Sequence, residues 1–193
     1  MKRGYLLFYN AFLAVAWLLV LVLWLSNGLL LDETGLLVLN IAQGLAILEV
    51  VHAAIKWVKA PVVTTFLQVF SRIFVLVLLN ILPSDGFIIA DSINALIPLL
   101  LAWGITEVFR YSYYFTSILN ITPSWLTWIR YSTFLILYPL GVAGEFMIMY
   151  LVVEMNGFEL IAMSITLGII ALSYIWGFPK MYGYMLSQRK KKL

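Results

Sequence analysis

The chain has 193 residues, of which 64% are hydrophobic and 11% are charged, and its net charge at pH 7 is +3. A water-soluble domain of this length has too little interior to hide so much apolar surface, so the composition predicts a membrane protein. The chain has no cysteine and one histidine, His52. Thiolate nucleophiles are therefore excluded, and neither a metal nor an organic cofactor is expected. The basic residues lie at segment ends rather than on one face, which argues against a nucleic-acid partner.

Six apolar segments predict an all-α fold, a polytopic bundle of six transmembrane helices, because most of them reach the roughly 20 residues that a bilayer requires. They cover residues 5–26, 35–57, 62–82, 91–119, 125–153 and 159–186. The connections at residues 59–61 and 83–86 are short, which indicates antiparallel neighbours within a single domain covering residues 1–193. The first segment has too long an apolar run for a signal peptide.

The charge distribution predicts that both termini are cytosolic. Basic residues mark the N-terminus, the second connection (Lys56 and Lys59) and the tail at 189–192, whereas the first and fifth connections are acidic. The last four residues, KKKL, resemble the dilysine retrieval signal of endoplasmic reticulum membrane proteins. A basic end that only orients the chain and binds anionic lipid would look the same.

The segment at residues 130–150, RYSTFLILYPLGVAGEFMIMY, carries the candidate reactive groups. We expect one long helix here, with Glu145 deep in the membrane, where an acid costs about 2.5 to 3.5 kcal/mol on insertion scales. Tyr138 and Glu145 are seven positions apart, so both leave one face of the helix, about 10 Å apart along its axis. The alternative interpretation is a packing helix whose Tyr and Glu only bond to neighbours.

Pro139, Gly141 and Gly144 lie between or beside these two residues. Pro139 removes the hydrogen bond that would run to the carbonyl of Leu135, and the glycines remove side chains from the same two turns. We therefore expect a bend and an opening through which a substrate reaches the helix backbone. Prolines and small residues are also common in ordinary packing helices of membranes.

Other ionisable residues within the apolar segments predict a paired polar network inside the bundle. Glu107 and Arg110 are three apart on one helix and are expected to pair. Arg72 needs an acid from another segment, and Glu49 and Glu145 are the candidates. These residues are as well explained by polar contacts that hold helices together, and His52 is expected to be structural. The predicted supporting set is Glu49, Gln68, Arg72, Glu107, Arg110 and Arg130.

Several runs of residues resemble the membrane very-long-chain (3R)-3-hydroxyacyl-CoA dehydratases, a family also labelled protein tyrosine phosphatase-like. The runs follow the order of the family and span nearly the whole chain. They are YLLFYN (5–10), LEVVHA (48–53), TTFLQVFSR (64–72), WGITEVFRYSYY (103–114), LYPLGVAGE (137–145) and GFPKMYGYMLSQRKKK (177–192).

The resemblance implies a dehydratase that converts a (3R)-3-hydroxyacyl-CoA to a trans-2-enoyl-CoA, the third step of fatty-acid elongation in the endoplasmic reticulum. It implies a catalytic Tyr and Glu in the motif Y-P-x-G-x-x-x-E, which fall on Tyr138 and Glu145. The implied partners are the substrate, membrane lipid and the other elongation enzymes. The loop at residues 155–158 is short for the family, which leaves the chain-length preference open. A phosphatase activity is excluded, because the cysteine nucleophile is missing.

Elimination of water requires a base for the C2 proton and an acid for the leaving hydroxyl. Glu145 is the expected base and Tyr138 the expected acid, although the two roles are interchangeable at this stage. The polyanionic CoA nucleotide is expected at the cytosolic mouth, near Lys56, Lys59 and Lys180. Two other classes remain, a small transporter and a catalytically silent scaffold of the elongation complex. An assay for enoyl product separates them from an enzyme.

Overall fold

The computed structural model describes residues 1–81, 91–156 and 161–193, and within these ranges the chain is helical, with no strand. The predicted turn at 83–86 and residues 157 and 158 of the short loop lie outside the described residues. The helices of the described ranges are α1 (Lys2–Ser26), α2 (Glu33–Leu45), α3 (Ile47–Ala54), α4 (Val62–Ile81), α5 (Asp91–Leu119), α6 (Ser124–Ser132), α7 (Phe134–Asn156) and α8 (Ile161–Lys192).

The second and fifth apolar segments are each divided into two helices. Between α2 and α3, the amide of Ala46 donates to the carbonyl of Gln43, so the chain makes a tighter turn there. Between α6 and α7, the hydroxyl of Thr133 donates to the carbonyl of Ile129 at 3.0 Å, a side-chain bond that often bends helices. The prediction of one unbroken helix over residues 130–150 is therefore wrong. Arg130 belongs to α6.

The surface of the bundle is apolar, as expected for a protein in contact with lipid. On α1, Leu13, Trp17 and Val20 are fully buried, whereas Phe8 and Val15 on the opposite side are 71% and 64% exposed. Within the described ranges, four stretches are long and apolar enough to cross a membrane. These are α1, α2 together with α3, α4, and residues 134–154 of α7. The described residues therefore form an all-helical protein with several membrane-spanning helices.

Helix α5 is the centre of the bundle, because it packs along both α1 and α7. The residues that α5 contributes to the core include Leu99, Leu100, Trp103 and Tyr111, which are all buried. Helix α4 packs on α3 and α7, and α8 packs on α6 and α7. This arrangement brings side chains of α4, α5, α7 and α8 together around the middle of α7.

Candidate active site

Glu145 is buried at the junction of three helices, with 7% of its surface exposed. The indole N–H of Trp103 on α5 donates to its Oε1 at 3.1 Å, and the phenol of Tyr174 on α8 donates to its Oε2. Within the described ranges, no Arg or Lys nitrogen lies within 4.0 Å of this carboxylate. The carboxylate is thus held by two neutral donors instead of by an ion pair.

Tyr138 lies two turns before Glu145 on the same face of α7 and is half-buried. Its ring stacks on Phe178 of α8, with 5.0 Å between the centroids, and Phe178 stacks in turn on Tyr182 at 5.7 Å. In the part of the chain that the structure describes, its phenol has no hydrogen-bond partner. Its hydroxyl is therefore available to a ligand beside the buried carboxylate.

Arg72 connects this pair of residues to a buried ionic network. Its guanidinium carbon lies 5.5 Å from the centroid of the Trp103 ring, and the N–H of that indole donates to Glu145. The acid that pairs with Arg72 is Glu107 of α5. Neither of the predicted candidates, Glu49 and Glu145, pairs with it, and that prediction is wrong. Sequence spacing could not reveal the partner, because α4 and α5 meet only in the folded bundle.

The rest of the network follows the predicted local pairing. Arg110 donates from its Nε to Glu107 at 2.8 Å, which confirms the expected pair on α5. Arg110 also makes two bonds of 2.7 Å to the carboxylate of Glu49 on α3, and the phenol of Tyr111 donates to Glu49. Two acids and two bases thus join α3, α4 and α5 with no net charge. Such contacts stabilise the packing of these helices.

Two residues of the predicted supporting set lie outside this network. The side chain of Gln68 is exposed, and only its backbone carbonyl takes part in a described contact, as acceptor for Ser71. Arg130 on α6 lies near the rings of Tyr114 and Tyr131, at 5.8 and 5.7 Å, and its buried Nε has no hydrogen-bond partner in the part of the chain that is described. The structure therefore does not bring Gln68 or Arg130 into the group around Glu145.

Gly141 and Gly144 bring α7 close to α5, whereas Pro139 is exposed. A Cβ on Gly144 would meet the backbone of Leu99, and one on Gly141 would lie 3.2 Å from Cβ of Ala102. The group that approaches these glycines is thus α5, which corrects the expected opening to a substrate. Helix α7 continues through Pro139, and the carbonyl of Leu135 that this proline leaves without its amide donor accepts from the Tyr182 phenol at 3.4 Å.

His52 has the structural role predicted for it. It is buried, and its Nε2 lies 3.0 Å from the hydroxyl of Tyr5 on α1. Its ring packs edge-on against Tyr9 and stacks on Trp57. These contacts fix the end of α3 beside the beginning of α1.

The sequence interpretation missed Tyr174, Phe178 and Tyr182 as members of the site. All three lie on α8 at intervals of four residues, which places them on one face of that helix. This spacing of aromatic residues in an apolar helix is the sequence signal that indicates their common face. Trp103 belongs to one of the family-like runs, WGITEVFRYSYY, but the sequence did not predict its bond to Glu145.

The arrangement combines a buried carboxylate, which is able to take a proton, with a phenol on the same helix face, which is able to donate one. Fold and site thus define a polytopic helical membrane protein with a buried carboxyl group and a half-buried phenol on one face of α7. The model of the family described as protein tyrosine phosphatase-like protein, PTPLA, matches residues 43–193. The chain belongs to this family.

Several relatives are similar to this chain over nearly its whole length, and they are all named as the same enzyme. The very-long-chain (3R)-3-hydroxyacyl-CoA dehydratase hpo-8 of Caenorhabditis elegans is 41% identical, over 99% of this chain and 95% of its own length. The dehydratase PASTICCINO 2 of Arabidopsis thaliana is 34% identical, over 100% and 94%. The human dehydratase 2 is 33% identical, over 100% of this chain and 82% of its own. No solved structure matches the chain.

Proposed function

We propose that this chain is a carbon–oxygen lyase that removes water from a (3R)-3-hydroxyacyl-CoA to give a trans-2-enoyl-CoA in very-long-chain fatty-acid elongation. The observation that carries the proposal is the buried Glu145 carboxylate, held by neutral donors, together with the Tyr138 phenol on the same face of α7. Among the described residues this phenol has no hydrogen-bond partner. The names of the full-length relatives support the same reaction.

Glu145 is the base and Tyr138 the acid in this proposal. The carboxylate takes the proton from C2, and the electron pair of that C–H bond forms the C2–C3 double bond. The C3–O bond breaks, and the leaving hydroxyl takes the proton of the phenol and departs as water. Transfer of a proton from the Glu145 carboxyl to the Tyr138 phenolate restores the starting state. The two side chains start about 10 Å apart along the helix axis, which leaves room for the reacting carbons between them.

The CoA nucleotide enters, in this proposal, at the end of the bundle that carries Lys56 and Lys59. Both lysines line an open cavity of about 650 Å³ between the end of α3 and the start of α4. The nucleotide phosphates are anionic, so two lysines at this surface favour their binding. Lys180, which was expected beside them, is exposed on α8 and does not line this cavity.

We further propose that the chain is one domain that crosses the endoplasmic reticulum membrane six times, with both termini on the cytosolic side. Arg3 donates to the carbonyl of Ile118 at 2.9 Å, and Arg189 to the hydroxyl of Ser132 at 3.3 Å. The first contact supports a common side for the beginning of α1 and the end of α5, and the second joins the end of α8 to α6, the helix that follows α5. The basic tail fits the retrieval signal, and the other elongation enzymes are the proposed protein partners.

The test is an assay of the purified chain, reconstituted in lipid, with a (3R)-3-hydroxyacyl-CoA as substrate. Formation of the trans-2-enoyl-CoA, followed by mass spectrometry, supports the dehydratase. Movement of a solute across the vesicle membrane without enoyl product supports a transporter. If neither is observed, the scaffold interpretation replaces the enzyme.

A further inference from the structure

Tyr174 is the side chain of α8 that reaches the buried carboxylate directly. Its phenol donates to Oε2 of Glu145, and its ring packs against Phe146, with 5.3 Å between the centroids. Tyr174 therefore joins α8 to α7 at the carboxylate.

Both oxygens of the Glu145 carboxylate receive a donor, and the two donors come from different helices. Trp103 of α5 donates to Oε1 and Tyr174 of α8 to Oε2. A glutamate side chain has three rotatable bonds, so holding it in one orientation costs conformational entropy. A carboxylate has about four acceptor sites, so two remain after these bonds are made. The two donors thus fix the direction of the acceptor sites that remain free.

We infer that Tyr174 is a positioning residue of the dehydration, which holds the Glu145 carboxylate in the orientation that takes the C2 proton. The inference rests on the proposed function of the chain. Its physical reason is that proton abstraction requires the base within hydrogen-bond reach of the proton, and small displacements of a reacting group are costly. Trp103 alone fixes only one oxygen, so without the phenol the carboxylate turns about its hydrogen bond to the indole.

The test compares Tyr174→Phe with Tyr184→Phe. The first variant keeps the ring and its contact with Phe146 but loses the hydroxyl, and the second removes an exposed phenol of the same helix. Single-turnover rates are measured with enzyme in excess over a substrate that carries either hydrogen or deuterium at C2. For Tyr174→Phe we expect a rate constant lower by roughly 10- to 100-fold at full amplitude, with a primary isotope effect and substrate binding within about twofold of the original. Tyr184→Phe is expected to match the unmodified protein.

Two results would overturn the inference. One is an unchanged rate constant in Tyr174→Phe, and the other is a reduced amplitude at an unchanged rate constant, because this indicates only a loss of folded protein. The unmodified chain is assayed in the same series. If it forms no enoyl product, the proposed function fails, whereas an active chain with an unaffected Tyr174→Phe variant removes only the role of Tyr174.

Discussion

A Cβ placed on Gly144 would lie 2.6 Å from the backbone nitrogen of Leu99 and 2.8 Å from its Cα. Helices α5 and α7 thus touch through their backbones one residue before Glu145. Four residues after Leu99, Trp103 extends from the same helix to the carboxylate. The close approach at Gly144 therefore sets the distance between the indole donor and its acceptor.

The first prediction is that Gly144→Ala lowers stability and activity together. The added methyl group meets backbone atoms of α5, which cannot turn aside as a side chain does, so the two helices must separate. We expect a cost of about 1 to 3 kcal/mol and a loss of most dehydration activity. Thermal unfolding in detergent measures the first effect.

Gly168→Ala on α8 is the control for this variant, because nothing lies within 4 Å of a Cβ at that position. It is expected to keep or raise the melting temperature, since alanine favours helix more than glycine does. Equal melting temperatures for the two variants would show that the contact with Leu99 does not limit the packing.

The second prediction concerns the proposed base. Glu145→Gln keeps the size of the side chain and removes the acceptor charge, so dehydration should fall by about 10²- to 10⁴-fold while the bundle stays folded. Glu154→Gln, on the exposed surface of the same helix, should leave the rate unchanged. Normal turnover by purified Glu145→Gln would remove this residue from the mechanism.

The third prediction concerns the proposed acid. Tyr138→Phe removes only the hydroxyl, and the stack on Phe178 remains, so we again expect a rate loss of about 10²- to 10⁴-fold without unfolding. Tyr150→Phe is the matched control, because that phenol lies on α7 and its residue is 64% exposed. Similar rates for both variants would mean that another group protonates the leaving hydroxyl.

The fourth prediction ranks two acids of the ionic network by their effect on stability. Glu107→Gln leaves Arg72 without its acid, and breaking a buried pair in this way costs about 3 to 5 kcal/mol. Glu49→Gln should cost less, because Arg110 keeps Glu107. Unfolding of both variants in denaturant measures the order, and a larger effect of Glu49→Gln would contradict it.

The fifth prediction tests the proposed nucleotide surface. Replacement of Lys56 and Lys59 by Gln should raise KM for the acyl-CoA by several-fold and leave kcat unchanged, since both lysines are exposed and neither contacts Glu145. The matched control is the same acyl group on pantetheine, which lacks the nucleotide and should show no change in KM. An equal rise in KM for both substrates would place the nucleotide elsewhere.

Helix periodicity was enough to predict which residues of one helix lie together, and it failed for partners on different helices. It gave the common face of Tyr138 and Glu145 and the pair Glu107–Arg110. It could not give Glu107 as the partner of Arg72, because that contact depends on how α4 and α5 pack. The glycines of α7 also led to a wrong prediction, that of an opening for the substrate. Small residues equally allow a second helix to approach, and here α5 fills that space.

The neutral quartet of Glu49, Arg72, Glu107 and Arg110 also has a consequence for biogenesis. Glu49 is synthesised 61 residues before Arg110, an interval of roughly 3 to 12 s at ordinary rates of translation. During that interval the early helices hold charged side chains whose partners of opposite charge have not yet left the ribosome. A nascent chain that stops before α5 therefore holds Glu49 and Arg72 without the partners, Arg110 and Glu107, that each has in the finished bundle.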